Sequence, residues 1–145
     1  MRALSKPSER GLTLVELMVV VSIAGILAGL AYPGYSRYLH RSHRSGALNA
    51  LMHIQTAQER WRATHPAYAN SLQELNLDKL VSETSGHYQL SLEADALGGY
   101  LATATAIGRQ QADIACTTLS LQVRSGQVQT RSTGTATADE CWGMR

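Results

Sequence analysis

The hydrophobic residues of this chain are concentrated in one stretch near the N-terminus. Between Leu12 and Tyr32, 21 residues carry a single charge, that of Glu16. As a helix this stretch would be about 31 Å long at ~1.5 Å per residue, the thickness of the hydrocarbon core of a bilayer. A standard signal peptide has an apolar stretch of only about 7–15 residues. The pattern therefore predicts a transmembrane helix over residues 12–33, after a polar leader of residues 1–11.

A second helical pattern follows over residues 34–64. Its inward positions recur at spacings of four and three residues, the period of an α-helix. They are Ala47, Leu51, Ile54, Gln58 and Trp61. Pro33 lacks an amide hydrogen and crowds the preceding turn, and His65 precedes a second proline, Pro66. We therefore predict one long helix from Leu12 to about Thr64, bent near Pro33.

The C-terminal part of the chain, residues 65–145, contains four short runs typical of β-strands. The runs are His87–Glu93, Tyr100–Ala106, Thr117–Val123 and Gln127–Ser132. Their short connections predict an antiparallel meander, whose apolar face would cover Leu51, Ile54 and Trp61 of the helix. Residues 66–86 are predicted to form a loop with a helical turn around Ser71–Leu75, and residues 133–145 a tail. The predicted fold class is α+β, a long N-terminal helix packed on a four-stranded antiparallel sheet.

Charge is distributed unevenly between these regions. The full chain has a net charge of +2, but from Ser45 onward seven Lys or Arg face nine Asp or Glu, a net of −2. The C-terminal part is therefore not basic enough, as a whole, to indicate a polyanion-binding domain. Three basic residues precede the apolar stretch and three follow it closely, so the positive-inside rule does not decide its orientation.

The only two cysteines are Cys116 and Cys141. In an exported domain such a pair forms a disulfide, and closing a loop of about 25 residues would stabilise the fold by roughly 3–4 kcal/mol. Two unpaired core thiols are the alternative. Because disulfides persist in oxidising compartments, the pair favours a C-terminal domain outside the cytoplasm.

The junction between leader and apolar stretch carries the most specific motif. Gly11 ends the basic leader, and Glu16 is the fifth residue of the apolar stretch that begins at Leu12. An acidic residue inside a membrane segment is costly and marks a functional site by default. In this motif the chain resembles the type IV pilin family, whose prepilins carry such a class III leader.

The resemblance implies a role for each residue of the motif. Prepilin peptidase would cut after Gly11 and N-methylate Leu12, where most members have Phe. Glu16 would pair with the N-terminal amine of a neighbouring subunit, and Pro33 falls where such pilins have a helix-breaking proline. The implied partners are other pilin subunits, prepilin peptidase and the inner-membrane pilus assembly machinery, and the implied fold is the type IV pilin fold.

A second, weaker resemblance concerns the C-terminal part. Glu59–Leu77, Gly86–Leu92 and a cysteine followed by Trp142 are similar to PilE-like or ComP-like minor pilins of Gram-negative bacteria. The resemblance implies a minor structural subunit of a type IV pilus that supports pilus biogenesis and twitching motility. The subunit would be a single-pass inner-membrane protein with a periplasmic C-terminal domain, and later part of an extracellular filament.

Two other functions remain open. Some minor pilins bind DNA during natural transformation, and Arg109, Arg124 and Arg131 would form a DNA-binding patch if folding gathered them on one face. Scattered surface arginines are the alternative. The other function is a type II secretion pseudopilin, which the cysteine-bracketed C-terminus and the lack of an acidic calcium-type loop make less favoured.

Enzymatic and metal sites are not predicted. No catalytic motif occurs, no cofactor is implied and we predict that the protein is not an enzyme. His40 and His43 have the helical spacing of a metal-binding pair, but no carboxylate or cysteine accompanies them in sequence. We therefore interpret them as part of a solvated helix face.

Overall fold

The computed structural model describes Gly11 and residues 13–84, 86–95 and 98–143. These residues divide into two units, with the boundary between Tyr38 and Leu39. The long N-terminal helix contributes its first part to one unit and its second part to the other.

Helix α1 extends from Leu14 to Arg62. It continues through Pro33 without a break in its helical residues, and the predicted bend there stays a prediction. Its C-terminal end lies two residues before the predicted Thr64, because the amides of Thr64 and His65 both turn back to the carbonyl oxygen of Trp61, at 3.1 Å each. The predicted first residue, Leu12, lies outside the described residues.

The first unit consists of apolar helix whose side chains are exposed. Leu14 is 77% exposed and Leu27 62%, and the valines between them are exposed to a similar degree. The helix is long and apolar enough to cross a membrane. Because large exposed apolar surfaces are rare on soluble proteins, this surface requires lipid or another protein to cover it.

The second unit contains a four-stranded antiparallel sheet in the order β1-β2-β3-β4. Its strands are β1 (Tyr88–Asp95), β2 (Gly99–Ala106), β3 (Thr118–Arg124) and β4 (Gln127–Thr133). Each boundary lies within two residues of the predicted one. The predicted meander and α+β fold class are confirmed.

The core lies between one face of this sheet and α1. Leu119, Leu121 and Val123 alternate with exposed or half-buried residues along β3 and are buried. The helix contributes Ala47 and Leu51, with Ile54 and Gln58 also fully buried. The prediction for Trp61 is wrong, because this residue lies only partly buried beyond the core, near the end of the helix.

Three short helical segments were not predicted. They are helix α2 (Asp78–Thr84), a 3₁₀ helix (Gly108–Ala112) and helix α3 (Ala138–Trp142). Thr137 and Glu140 form a reciprocal capping box that starts α3, and a sequence of only five helical residues has no periodicity to detect. The predicted helical turn at Ser71–Leu75 is a series of turns that precedes α2.

Candidate functional site

The charged residue of the apolar stretch, Glu16, caps its own helix. Its Oε2 atom accepts hydrogen bonds from the Thr13 amide at 3.1 Å and the Thr13 hydroxyl at 3.0 Å. In return the Glu16 amide donates to Thr13 Oγ1 at 3.2 Å. This is a capping box, which satisfies donors that the first helical turn leaves unpaired. Sequence analysis missed it, although Thr13 followed three residues later by a glutamate is its recognised signature.

The capping geometry leaves part of the Glu16 carboxylate for another donor. Both Thr13 donors reach Oε2, so within the described residues Oε1 is open to a further positive or donating group. Gly11, the predicted cleavage site, precedes the helix and has exposed, non-helical backbone. Leu12, the predicted methylation site, lies outside the described residues. Cleavage, methylation and the pairing of Glu16 stay predictions.

In the second unit, α1 meets the sheet connections through a network of polar side chains, which we call the polar junction. His40 Nδ1 and His43 Nδ1 both contact Gln110 Oε1, at 3.2 and 3.0 Å. Because an amide oxygen only accepts, both rings donate from Nδ1. The predicted solvated face is therefore wrong for these two histidines: they are half-buried and bind a residue that is itself buried.

An ion pair completes the polar junction. Arg44 Nε and Nη2 donate to the two carboxylate oxygens of Asp113 at 2.5 and 2.6 Å, and the two side chains are 15% and 5% exposed. This bidentate hydrogen bonding raises the pKa of Arg44 above its ordinary value. Gln110 Nε2 lies 3.1 Å from Asp113 Oδ2 and 3.2 Å from the Tyr88 hydroxyl, so α1, β1 and the β2–β3 connection are joined.

A stacked histidine pair borders the polar junction. The rings of His43 and His87 lie 3.5 Å apart between centroids and are nearly parallel, at 12°. Desolvation and the neighbouring His43 lower the pKa of His87 below its ordinary value. Both rings cannot be charged at this distance without strong repulsion. No group of three His, Cys, Asp or Glu in the described part of the chain has the geometry of a metal site.

The three C-terminal arginines lie on different elements, and the predicted patch that they would form stays a prediction. Arg124 Nε donates to Asp95 Oδ2 at 2.9 Å, so its charge is locally compensated. Arg131 pairs with Ser120 in the sheet register, which places it on the same outer face as Arg124. Arg109 lies in the 3₁₀ helix before β3, toward the opposite end of that strand. Trp142 does not extend the patch, because it is buried and donates to the Arg131 carbonyl at 3.0 Å.

Aromatic and basic side chains cluster instead at the C-terminal end of α1. The rings of Trp61 and His65 stack with centroids 3.8 Å apart and an angle of 6°. The Arg62 guanidinium lies 5.8 Å from the centroid of Tyr68. We call Trp61, Arg62, His65 and Tyr68 the aromatic cluster. The sequence-based hypothesis of a DNA-binding patch named only the C-terminal arginines and did not include this cluster.

The disulfide is the last feature of the second unit. Cys116 and Cys141, the pair that the sequence predicts to be bonded, form a disulfide that connects the segment before β3 to helix α3. Both cysteines are buried. The predicted C-terminal tail is thereby part of the folded unit.

Comparison with known proteins identifies the family. A model described as "Prokaryotic N-terminal methylation motif" matches residues 6–32, and one described as "Type IV minor pilin ComP, DNA uptake sequence receptor" matches residues 33–120. The chain belongs to this family of type IV minor pilins. The match covers the polar junction, Arg109 and the aromatic cluster of the pilin, and ends before Arg124 and Arg131.

Individual relatives of this pilin agree with the family. The type IV major pilin protein PilA of Myxococcus xanthus is 39% identical over 69 residues, which are 48% of this chain and 31% of the relative. The type IV major fimbrial protein FimA of Dichelobacter nodosus is 44% identical over 54 residues, covering 37% and 35%. Fimbrial protein Q of Moraxella bovis is 28% identical over 109 residues, covering 74% and 69%. The pilin thus spans about a third of the length of the first two relatives.

The family and the apolar helix together describe a membrane-anchored pilin. The predicted membership of the type IV pilin family is confirmed. The pilin family is a family of structural proteins.

Proposed function

We propose that this pilin is a structural subunit of a type IV pilus that assembles through its N-terminal helix. The observation that carries the proposal is the large exposed apolar surface of α1 up to Tyr38. Lipid would cover this surface in the stored monomer, and helices of other subunits would cover it in the filament. The domain boundaries of the proposal are the leader 1–11, the polymerisation helix 12–33, the amphipathic part 34–64 and the C-terminal region 65–145.

Processing precedes assembly in this proposal. Prepilin peptidase hydrolyses the peptide bond after Gly11, which exposes a positively charged amine at Leu12, one helical turn from Glu16, and then methylates that amine. The capping box holds the Glu16 carboxylate at the start of the helix and leaves Oε1 for the amine of a neighbouring subunit. An intermolecular pair fixes the axial register of subunits, and its desolvation cost offsets much of its attraction.

The C-terminal region is proposed to lie in the periplasm before assembly and outside the cell afterwards. A buried disulfide supports this orientation, because disulfides persist in oxidising compartments. The inner-membrane assembly machinery is the proposed partner for extraction from the lipid.

The test is the substitution Glu16→Ala in the full-length precursor, expressed in a piliated host that lacks its own copy. We expect normal removal of the leader, seen as a mobility shift on immunoblots, together with loss of the subunit from sheared pili. Glu93→Ala is the matched control, since it removes an exposed acid of the sheet and should enter pili normally. Normal incorporation of the Glu16 variant would contradict the proposed role of this residue.

A second candidate function is that of a DNA receptor. It is favoured by the family match, whose description includes "DNA uptake sequence receptor". The test is an electrophoretic mobility shift of DNA with the full-length chain in detergent. Binding that weakens steeply with salt would support the receptor function, because phosphate contacts release counterions. The absence of a shift at low salt would contradict it.

A further inference from the structure

The aromatic cluster at the end of α1 presents stacked rings to solvent. Trp61 is half-buried, whereas His65, which covers one face of the indole, is exposed. A third planar group can therefore continue the stack on the outer face of His65. Tyr68 forms the other side of the cluster and packs edge-on against the buried Tyr100, with centroids 4.9 Å apart.

Hydrogen bonds hold these rings in place. His65 Nδ1 lies 3.1 Å from the Trp61 carbonyl oxygen and 2.9 Å from Thr64 Oγ1. Because a carbonyl oxygen only accepts, Nδ1 carries a hydrogen and donates it. Gln58 is fully buried and bonds both the amide and the carbonyl of Ala69, at 2.9 Å each. The loop that carries His65 and Tyr68 is thereby anchored to the helix, which reduces the entropy lost when a ligand binds.

The local charge favours an anionic ligand. Arg60 and Arg62 are exposed at this end of the helix, and Arg62 Nη1 donates to the His65 carbonyl at 2.9 Å. The one acid in the segment from 58 to 73, Glu59, lies 3.4 Å from the Tyr68 hydroxyl. A guanidinium group beside stacking rings is the combination that binds single-stranded nucleic acid, in which arginines contact phosphates and rings stack on bases.

The alternative arginine site offers no such combination. On the outer face of the sheet, Arg124 is paired with Asp95, and Arg131 has no exposed ring beside it because Trp142 is buried. Stacking of a base therefore has a place at the end of α1 and none among the described residues around Arg124 and Arg131.

We propose that the aromatic cluster, Trp61, Arg62, His65 and Tyr68, is a binding site for unpaired bases of DNA. The inference rests on the DNA-receptor function named above and assigns that function to a site. A base stacks on the exposed face of His65, and Arg62 contacts an adjoining phosphate. Duplex DNA would be engaged through frayed ends or unpaired segments.

The test is the affinity of the full-length pilin, in detergent micelles, for a fluorescently labelled single-stranded oligonucleotide of about twelve nucleotides. We expect His65→Ala and Trp61→Ala each to weaken binding about tenfold, the loss typical of one base–ring stack. Arg62→Gln should lower the slope of log affinity against log salt by about 0.7, the value for one phosphate contact of a single strand. Arg131→Gln is the matched control, which should change affinity less than about twofold, as it lies away from the site.

Tryptophan fluorescence gives a second readout that a merely structural role would not alter. The chain has two tryptophans, and Trp142 is buried, so quenching by the oligonucleotide should report on Trp61. Trp61→Phe should abolish the quenching and retain most of the binding, because phenylalanine still stacks. His65 is exposed, so the His65→Ala variant should keep the unfolding temperature of the wild type and its loss of affinity cannot be ascribed to misfolding.

The outcomes distinguish failure of the proposed binding site from failure of the DNA-receptor function. Unchanged affinity of both His65→Ala and Trp61→Ala would overturn the inference and leave the receptor function standing. Binding of duplex DNA with no binding of the single strand would do the same. The absence of binding to any DNA would overturn both.

Discussion

The two parts of helix α1 follow opposite rules of burial. Up to Tyr38 the helix exposes large apolar side chains, and from Leu39 it buries a narrow stripe against a sheet and carries polar side chains into a network. In the first part the stabilising environment is outside the chain, in lipid or in other subunits. In the second part it is inside the chain, so the same kind of substitution has different consequences in the two parts.

Substitution in the polar junction should have a large effect on folding. Asp113→Ala leaves the Arg44 guanidinium, only 15% exposed, without its carboxylate, and breaking a buried pair costs about 3–5 kcal/mol. We expect a loss near the lower end of that range in the free energy of unfolding of the full-length chain in detergent, followed by circular dichroism in urea.

The pair Arg124–Asp95 is the matched control for this prediction. It has similar chemistry, but Arg124 is 56% exposed, and exposed pairs contribute about 0–1 kcal/mol. Arg124→Gln should therefore change the urea midpoint little. Equal effects of the Asp113 and Arg124 substitutions would show that burial does not distinguish the two pairs.

A single substitution made in both parts of α1 tests the comparison directly. Leu51 is fully buried and Leu27 is 62% exposed. Leu51→Ala should lower the free energy of unfolding by about 2–5 kcal/mol, since it removes core contacts and leaves a cavity. Leu27→Ala should leave the unfolding of the second unit unchanged within about 0.5 kcal/mol.

Incorporation into pili, measured per amount of folded protein, should respond in the opposite way. It should fall in the Leu27→Ala variant and change little in the Leu51→Ala variant. Leu27→Ala removes surface that neighbouring helices would cover, whereas Leu51 faces inward. If Leu27→Ala destabilised the second unit as strongly as Leu51→Ala, the division of the helix into two environments would be wrong.

The smallest effect should be a dependence of stability on pH. The lowered pKa of His87, caused by desolvation and by His43, means that the folded chain binds this proton less readily than the unfolded chain. The contribution of neutral His87 to the free energy of unfolding is fully present above the ordinary histidine pKa of 6.5. It is lost as the pH falls from 6.5 toward the lowered pKa of the folded chain. The unfolding midpoint should fall between about pH 7 and pH 5, and His87→Gln should reduce that fall. A pH profile identical to that of the wild type would contradict this assignment to His87.

The strongly periodic elements could be predicted from sequence. The apolar stretch, the stripe through Leu51 and Ile54, and the alternation of Leu119, Leu121 and Val123 each repeat often enough to identify a helix or a strand. The short segments could not. Helix α3 has five residues. One capping box starts it, and the disulfide between Cys141 and Cys116 holds it against the sheet unit.

The same distinction applies to the sites: residues within one local motif could be predicted, and contacts between distant residues could not. Gly11 and Glu16 lie within one local motif, and their implied roles need only the order of residues. The partners of His43 and Arg44 could not be predicted, because Gln110 lies 67 residues from His43 and Asp113 lies 69 residues from Arg44. In sequence these side chains resembled a solvated face, and the fold turned that face against the β2–β3 connection.

The sequence by itself determined that this protein has a membrane-length apolar helix with one acid in its first turn, a helix-on-meander fold and the motif of a pilin. These are local patterns, governed by hydrophobic period and by the cost of charge in lipid. The tertiary structure alone decided which arginines form ion pairs, that His43 stacks on His87, and that His40 and His43 bind Gln110. Those properties depend on distances between residues far apart in the chain, which only packing determines.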